Sequence, residues 1–254
     1  MLSRRIIKLK VDGEYLLDYN YQYSLLQETY KTITKLDSKK AVELHDNGFN
    51  NTGKPLKNFM LFMKFYDGLF LSKGINITEN SRIELVVSGQ KEMVELIVKS
   101  IISNGLISVN GINFNLTDIT KEKQVKFYNK VMYKAVSPIV SSKHNGTNIE
   151  YLKYLDQRYY DGIVNNLKRK YEQIYGKPYD KEICLNASCI EDILQVKPKS
   201  IGKIKGNGYI KGYGKFNFWL VADKEIQEIA YYLGFGQNNT LGAGFVEQIA
   251  YIKG

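Results

Sequence analysis

The chain has 254 residues, of which 44% are hydrophobic and 24% charged, a globular composition that excludes wholesale disorder. At roughly 150 residues per domain, this length predicts two domains. Lys and Arg outnumber Asp and Glu by 36 to 26, and the net charge of +10 favours a polyanionic partner such as nucleic acid. AT-rich coding would also enrich Lys. The positions of the charged residues therefore have to show whether the charge serves to bind nucleic acid.

Targeting and cross-linking signals are absent from the sequence. No apolar run approaches the roughly 18 residues of a membrane span, and the basic first ten residues lack the hydrophobic stretch of about 7 residues that a secretory signal needs. Two cysteines, Cys184 and Cys189, are too few for a disulfide framework in a chain of this length. We therefore expect a cytoplasmic protein that does not associate with membranes.

Strand and helix patterns alternate along the first half of the chain. Apolar alternation or apolar runs predict strands at 4–11, 59–65, 82–87 and 106–116, with a Gly/Asn-rich loop at 45–53. Helical spacing predicts helices at 23–36 and 88–104, the second capped by Ser88 and ended by Gly105. The order β-α-β-β-α-β is that of a ferredoxin-like fold.

The second half repeats this order. A strand at 131–140 precedes a helix that is capped by Asp156 and ended by Gly176. Two strands flank a Gly-rich segment at 205–212, Asp223 caps a short helix, and 245–252 supplies the last strand. We predict an α+β protein of two tandem ferredoxin-like (RRM-like) βαββαβ domains, 1–125 and 126–254, with a C-terminal glycine-rich loop. This fold hosts many functions, so function has to be inferred from sites.

Basic charge concentrates in a predicted hairpin. Residues 193–222 contain six lysines, no acidic residue and several interleaved aromatic residues, among them Tyr213 and Trp219. Lysines neutralise phosphates and aromatic faces stack on bases, so this composition predicts a surface for single-stranded RNA. The alternative is a basic hairpin whose aromatic side chains enter the core, and we expect this of Phe218.

Two Gly-apolar-Gly clusters flank five residues between Gly234 and Gly244. A dinucleotide-binding motif follows a strand and opens a helix, whereas this segment follows a helix and enters a strand, and it lacks the Gly-Lys-Ser/Thr of a P-loop. Glycines here allow either backbone contact with a phosphate or close packing of the main chain. Both alternatives stay open.

The chain has two histidines, and no cluster of His, Cys or carboxylates has metal-ligand spacing, so we expect no metal and no cofactor. His45 lies at the mouth of the predicted loop after the first helix, and Lys54 and Lys57 follow it. A lone histidine is most often structural or merely exposed. We expect His144 to be an exposed loop residue.

Taken together, these features resemble one family. The early histidine, Ser137-Pro-Ile-Val, the late basic hairpin and the double glycine cluster, in this order, are similar to the CRISPR-associated endoribonucleases of the sixth Cas family, in the RAMP superfamily. The resemblance runs from Tyr21 to Gly242 and covers nearly the whole chain. It implies an enzyme that cleaves precursor CRISPR RNA within each repeat. It also implies three partners, namely repeat RNA, other subunits of a CRISPR complex and a second copy in a homodimer.

The resemblance also implies roles for individual residues. The family's catalytic histidine falls on His45, its first-helix tyrosine on Tyr30, and its catalytic lysine best on Lys54 and second on Lys57. Tyr30 also lies on the apolar stripe of its helix, where it can simply pack. The residues that we expect to bind RNA are Lys57, Lys197, Lys199, Lys203, Lys205, Lys211, Tyr213, Gly234, Gly236, Gly242 and Gly244. Residues 237–241 carry no basic side chain where the family often has one, which favours a packing role for the glycine loop.

RNA carries its own nucleophile, the 2′-OH, so the expected reaction requires no metal-activated water and leaves a 2′,3′-cyclic phosphate and a 5′-OH. Histidine, with an unperturbed pKa of about 6.5, suits the proton transfers. One alternative is a non-catalytic RNA-binding subunit of a CRISPR ribonucleoprotein, and another is a small-molecule enzyme. The second alternative is disfavoured because clustered carboxylates and nucleotide motifs are absent.

Overall fold

The structure is a computed structural model that describes residues 1–46, 57–145, 148–187, 198–203 and 209–252. Within these ranges, only the main chain is described for 43–46, 145, 187 and 198–203. The chain divides into two compact units, Met1–Lys123 and Gln124–Gly254. Of the helices in the described ranges, none combines the length and the apolar character that a membrane crossing requires.

The first unit is an antiparallel sheet covered by helices. Its elements are β1 (Leu2–Lys10), β2 (Tyr15–Leu17), α1 (Tyr21–Leu36), α2 (Ser38–Asp46), β3 (Phe59–Phe65), β4 (Leu69–Phe70), β5 (Ile75–Ile77), β6 (Ile83–Gln90), α3 (Lys91–Asn104), β7 (Leu106–Val109) and β8 (Ile112–Lys121). The main sheet has the order β3-β6-β1-β8-β7, and β2, β5 and β4 form a smaller sheet.

Helices α1 and α3 bury their apolar stripes on this sheet because leucine and isoleucine recur at helical spacing along both. Leu25 and Ile33 of α1 meet Ile97 and Ile101 of α3 in one core with the sheet residues. A buried hydrogen bond of 3.0 Å joins the hydroxyls of Thr32 and Ser100 across the two helices. The two helices and the sheet therefore share one core, which holds the end of α1 and the start of β3 in place.

Two local expectations for this unit are wrong. The single strand at 106–116 is a hairpin, β7 and β8, which turns at Asn110 and Gly111 with φ of +50° and +79°, as Asn-Gly favours. Ser88 does not cap α3, because β6 stays paired with β1 as far as Gln90 and the helix begins at Lys91. Ser88 is buried and its hydroxyl accepts a hydrogen bond from Arg4 Nε at 3.3 Å.

In its described residues, the second unit has a four-stranded antiparallel sheet, two helices and two β-ribbons. Its elements are β9 (Lys130–Ala135), β10 (Ser142–Asn145), β11 (Asn148–Tyr151), α4 (Gln157–Tyr175), β12 (Cys184–Ala187), β13 (Pro198–Lys203), β14 (Tyr209–Tyr213), β15 (Asn217–Val221), α5 (Lys224–Leu233), the 3₁₀ turn Asn239–Leu241 and β16 (Val246–Ile252). The sheet order is β12-β15-β9-β16, and β10-β11 and β13-β14 pair as separate ribbons.

Both sheets place the second, third, first and fourth strands of a βαββαβ unit side by side, since β3-β6-β1-β8 and β12-β15-β9-β16 have the same order. The predicted α+β fold of two ferredoxin-like units is confirmed. In the second unit, the two predicted N-caps also lie where the sequence predicts them. The carboxylate of Asp156 accepts from Arg158 N at 2.9 Å, and that of Asp223 accepts from Ile226 N at 3.3 Å.

The predicted strand pairing of the second unit is partly wrong. Strand β9 ends at Ala135 instead of continuing to Val140, because Pro138 has no N–H for a ladder, and Ile139 instead pairs with Tyr213. The Gly-rich segment, 205–212, extends into β14, which pairs with β13 as a separate ribbon instead of entering the sheet. One edge strand of the sheet is β12, which the sequence patterns do not predict.

We expect Gly89→Ala to destabilise the first unit more than Gly105→Ala does. Both glycines have positive φ, +146° and +71°, but a Cβ on Gly89 would lie 2.3 Å from the Asn58 carbonyl oxygen, whereas Gly105 has nothing within 4 Å. Backbone strain alone costs about 1–3 kcal/mol. Urea unfolding should therefore place Gly105→Ala within that range and Gly89→Ala above it. Equal losses would contradict the close approach of β6 to the start of β3.

Candidate active site and nucleic-acid interface

Tyr30 and Lys57 lie together in the first unit. Tyr30 is in the second half of α1, and its half-buried ring packs edge-on against Phe59 with 6.4 Å between centroids. The exposed Lys57 precedes β3, and its Nζ lies 4.7 Å from the centroid of the Tyr30 ring. Such a cation–π contact contributes about 0.5–1 kcal/mol at an exposed site. Tyr30 therefore both packs on the core and carries a cation at the surface.

His45 lies on α2, a helix that the sequence patterns do not predict. Asp37 ends α1 and starts α2, because its backbone N–H donates to Ile33 O while its carboxylate accepts from Lys40 N at 3.0 Å. His45 is the second-last residue of α2, not the first residue of a loop as expected. Its side chain lies outside the described residues, and so does Lys54.

The ribbon β13-β14 has one packed face and one outer face. Ile210 and Gly212 are buried, and Ile210 joins Val140 in a small apolar cluster. Tyr209, Lys211 and the half-exposed Tyr213 share the opposite face, since alternate residues of a strand point the same way. The ribbon therefore presents a lysine between two tyrosines.

The remaining lysines of the predicted surface are only partly described. Lys199 and Lys203 lie in β13, where the main chain alone is described, and Lys197 and Lys205 lie outside the described residues. Of the nearby aromatic residues, Phe218 is fully buried in the sheet core, as expected. Trp219 is half-buried, and Lys130 Nζ lies 5.2 Å from the centre of its ring.

The glycine loop, which we define as Gly234–Gly244, packs its main chain against the Ser137–Ser141 segment. A Cβ on Gly236 would lie 2.2 Å from Val140 O, and one on Gly244 would lie 1.9 Å from Phe235 O. Gly234, Gly236, Gly242 and Gly244 are all buried and all have positive φ, between +64° and +79°. Every described contact of these four glycines is internal, and their predicted contact with RNA stays a prediction.

Lys170 of α4 is buried beneath this loop. Its Nζ donates to the carbonyl oxygens of Leu233, Gly234 and Gly236 at 3.2, 2.7 and 3.3 Å, and to Asn239 Oδ1 at 2.8 Å. Burial, and secondly the positive charge of Arg169, lower the pKa of Lys170 to about 7. The four oxygens favour the charged form and oppose this shift. The Lys170 amino group thus holds the end of α5 and the start of the glycine loop together through hydrogen bonds.

Sequence reasoning missed Lys170, although a signal was present. The residue lies three positions after Leu167 and seven after Ile163, on the buried stripe of α4. A lysine on an apolar stripe predicts a buried partner, because an unpaired buried charge is too costly. The N–H donors of such a lysine predict hydrogen bonds to the backbone carbonyls that a glycine-rich loop leaves outside regular structure.

The surface of the glycine loop is small and uncharged. Gln237, Asn238, Thr240 and Leu241 are half-exposed. The side chain of Gln237 accepts a hydrogen bond from Ser142 Oγ and donates to Ser142 O at 3.0 Å, which fastens the loop to β10. Lys143 and His144 of β10 are exposed. Among the described residues, no three His, Cys, Asp or Glu side chains come together as metal ligands.

Comparison with known proteins identifies the family. Residues 120–248, half of the chain, match the family described as CRISPR associated protein Cas6, C-terminal. The chain belongs to the Cas6 family. The resemblance inferred from the sequence is therefore confirmed. The matched region includes the Ser137–Ser141 segment, the ribbon β13-β14 and the glycine loop, whereas Tyr30, His45 and Lys57 precede it.

Individual Cas6 proteins are similar along nearly the whole chain. The CRISPR-associated endoribonuclease Cas6 1 of Methanocaldococcus jannaschii is 23% identical over 97% of this chain and 93% of its own length. A solved structure named CRISPR associated protein Cas6 has a TM-score of 0.80 at 23% identity and covers 98% of this chain and 100% of that chain. One named An RAMP protein binding different RNA substrates has a TM-score of 0.76 at 21% identity, with the same coverage. These structures share the fold of this chain.

We expect stability to rise with pH because of Lys170. With its pKa lowered to about 7 in the folded state, the unfolded chain binds more protons than the folded chain above about pH 7, so unfolding becomes less favourable as the pH increases. The slope is at most about 1.4 kcal/mol per pH unit. Urea unfolding of the unmodified chain between about pH 7 and 9, below the ionisation of tyrosine, measures it.

Lys170→Met should lose this slope, so its loss of stability, about 1–3 kcal/mol near pH 7 because the loop oxygens lose their donor, should become larger towards pH 9. Lys168→Met, two residues away and half-buried, is the control and should keep the slope. A slope that survives in Lys170→Met would assign the pH dependence to another group.

Proposed function

We propose that this chain is an endoribonuclease that cleaves precursor CRISPR RNA within its repeats. The observation that carries the proposal is the match to the Methanocaldococcus jannaschii relative, which is named an endoribonuclease and aligns over 97% of this chain and 93% of its own length. Lys57 lies over Tyr30 of α1, the helix directly before the one that carries His45, and this supports an active site in the first unit.

The proposed reaction is transesterification within the RNA. The 2′-OH attacks the adjacent phosphorus, the bond to the 5′ oxygen breaks, and the products are a 2′,3′-cyclic phosphate and a 5′-OH. His45 removes the proton of the 2′-OH and returns a proton to the departing 5′ oxygen, as an imidazole does best near neutral pH. A lysine ammonium stabilises the charge that develops on the phosphate oxygens. No divalent metal takes part.

Two lysines are candidates for stabilising the charge on the phosphate oxygens. The family pattern assigns this role first to Lys54, and the contact between Lys57 and Tyr30 supports Lys57, because a lysine held over an aromatic ring at the surface has its ammonium in a defined place. We propose that the Tyr30 hydroxyl donates a hydrogen bond to an oxygen of the reacting phosphate. Tyr30→Phe keeps the ring contact with Phe59 and removes only that donor.

RNA binding is proposed for the second unit. The outer face of β14, with Lys211 exposed and Tyr213 half-exposed, supports contacts to phosphates and bases. Lysines favour phosphates, and each phosphate contact makes the affinity depend on salt. The other proposed contacts in this unit are Lys197, Lys199, Lys203 and Lys205, and the backbone of Gly234, Gly236, Gly242 and Gly244. Lys57 is a proposed contact in the first unit.

A second candidate function is RNA binding without cleavage. The solved structure named for binding different RNA substrates, with a TM-score of 0.76, favours it. Both candidates use the basic ribbon, and only the nuclease needs His45. Removal of that imidazole therefore separates them.

We expect His45→Ala to abolish cleavage of repeat RNA and to leave its binding nearly unchanged. Loss of a general acid–base group lowers the rate by about 10²–10⁴-fold. His144→Ala removes an exposed histidine of β10 and serves as the control that should keep cleaving. Single-turnover rates and binding isotherms on the same RNA give both quantities. Unchanged cutting by His45→Ala would assign the activity to another residue.

We expect cleavage to continue in excess EDTA, because the substrate supplies the nucleophile. The fragment ends should be a 2′,3′-cyclic phosphate and a 5′-OH. End-labelling with kinase before and after phosphatase treatment, together with mass spectrometry, identifies both ends. Cleavage that stops in EDTA and returns with a divalent cation, or fragments with a 5′-phosphate, would overturn the mechanism.

A further inference from the structure

Tyrosines converge where the ribbon β13-β14 meets the start of α4. The ring of Tyr213, the last residue of β14, lies 5.0 Å from that of Tyr154 and 5.7 Å from that of Tyr159. The ring of Tyr160 lies 5.3 Å from that of Tyr159. We name Tyr154, Tyr160 and Tyr213 the tyrosine cluster. Its members come from the segment before α4, from α4 itself and from the basic ribbon.

The cluster rests on a rigid base. Tyr159 is fully buried beneath it, and its hydroxyl donates to Ile139 O at 3.0 Å. The main chain of Tyr213 pairs with Ile139 through hydrogen bonds of 2.7 and 3.0 Å. Side chains held in this way lose little conformational entropy when a ligand binds, so the cluster is prepared to take one.

The three rings of the cluster are partly exposed to solvent. Tyr154, Tyr160 and Tyr213 are half-exposed, and within the described parts of the chain no residue hydrogen-bonds to their hydroxyls. Tyr154 and Tyr213 are tilted by 58° and are not stacked face to face. Each ring therefore keeps part of its surface outside this pair, where a planar ligand can make contact.

The cluster continues the outer face of the ribbon. Tyr209 is 45% exposed, and Tyr209, Lys211 and Tyr213 follow one another on one side of β14. Lys153, exposed, lies next to Tyr154 in the chain. Aromatic rings and ammonium groups thus alternate from the ribbon to the start of α4, which is the pattern that binds a strand of bases and phosphates.

We propose that the tyrosine cluster is a stacking platform for unpaired RNA bases, with Tyr154 and Tyr160 as binding residues that the sequence analysis did not identify. The inference rests on the proposed RNA-processing function and specifies its substrate. A base in a duplex has its faces covered by neighbouring pairs, so this surface takes nucleotides that are single-stranded. Stacking on an aromatic side chain contributes about 1–3 kcal/mol per base.

The experiment measures binding of oligouridylate, free and annealed to oligoadenylate, to Tyr154→Ala and Tyr160→Ala at several salt concentrations. Each variant should bind the free strand about 5- to 150-fold more weakly, the range that corresponds to the stacking energy of one base. Affinity for the duplex and the slope of affinity against salt should not change, because no phosphate contact is lost. Tyr154→Phe should bind like the unmodified chain.

Tyr175→Ala is the matched control. Tyr175 is 42% exposed, lies at the other end of α4 and packs against Tyr171 as one of a tilted pair with 4.5 Å between centroids. Burial raises the pKa of Tyr175, and the nearby acidic side chains of Glu228, Glu225 and Asp223 add to that increase. These acidic surroundings disfavour RNA. This variant removes an exposed tyrosine without touching the cluster and should bind both RNAs normally.

Equal affinity of Tyr154→Ala, Tyr160→Ala and Tyr175→Ala for the free strand would overturn the proposal, as would an equal loss for free strand and duplex. Ultraviolet cross-linking of the unmodified chain to oligouridylate keeps the test independent of folding. Adducts should map to 153–160 or 209–213, and adducts confined to other segments would contradict the platform. If the unmodified chain cleaves repeat RNA and only the stacking tests fail, the proposed nuclease function stands.

Discussion

Close contact between main chains around the Ser137–Ser141 segment is the constraint on which the second unit depends. Gly212 of β14 and Gly236 of the glycine loop approach this segment so closely that a Cβ would lie 2.7 Å from Ile139 O and 2.2 Å from Val140 O. The ribbon, the glycine loop and β10 are thereby fixed to one short stretch of chain. Glycine is required at these positions because the neighbouring backbone occupies the space of a side chain.

The contact also explains why a charge is buried in this unit. When the chain turns through several residues with positive φ, their carbonyl oxygens leave the regular ladders and need donors. Lys170 is buried at this point, and its amino group donates hydrogen bonds to these oxygens. A hydrocarbon side chain could not satisfy these oxygens, so the amino group of Lys170 is part of the packing and not an addition to it.

The sequence predicts the features that depend on neighbours in the chain. Asp156 and Asp223 cap their helices, and Gly105 and Gly176 end theirs, because caps act within a few residues. Strand partners were harder to predict. The sequence does not show that β12 takes the edge of the sheet while β13 and β14 pair with each other, since both arrangements bury alternating apolar residues and the choice depends on distant segments.

Site residues also divide into those that local patterns predict and those that depend on contacts between distant segments. The exposed Lys211 and the buried Phe218 follow from alternation along a strand, whereas the place of Lys57 over Tyr30 depends on packing between α1 and the start of β3. His45 was singled out by resemblance alone, because one histidine in a short polar segment has no physical signature of its own. Lys170 was missed because its acceptors are more than sixty residues away in the chain.

In the glycine loop, the residues that hold the backbone in place differ from those that form its outer rim. Its glycines, Asn239 and the underlying lysine form the interior, and only four side chains, those at positions 237, 238, 240 and 241, reach outward to a partial degree. Asn238 has a φ of +61° and is itself part of the turn, whereas substitutions at Thr240 alter the chemistry of the rim without disturbing the frame. Such an arrangement lets related proteins diversify what the rim touches while inheriting an unchanged turn, and it offers protein engineers the same freedom.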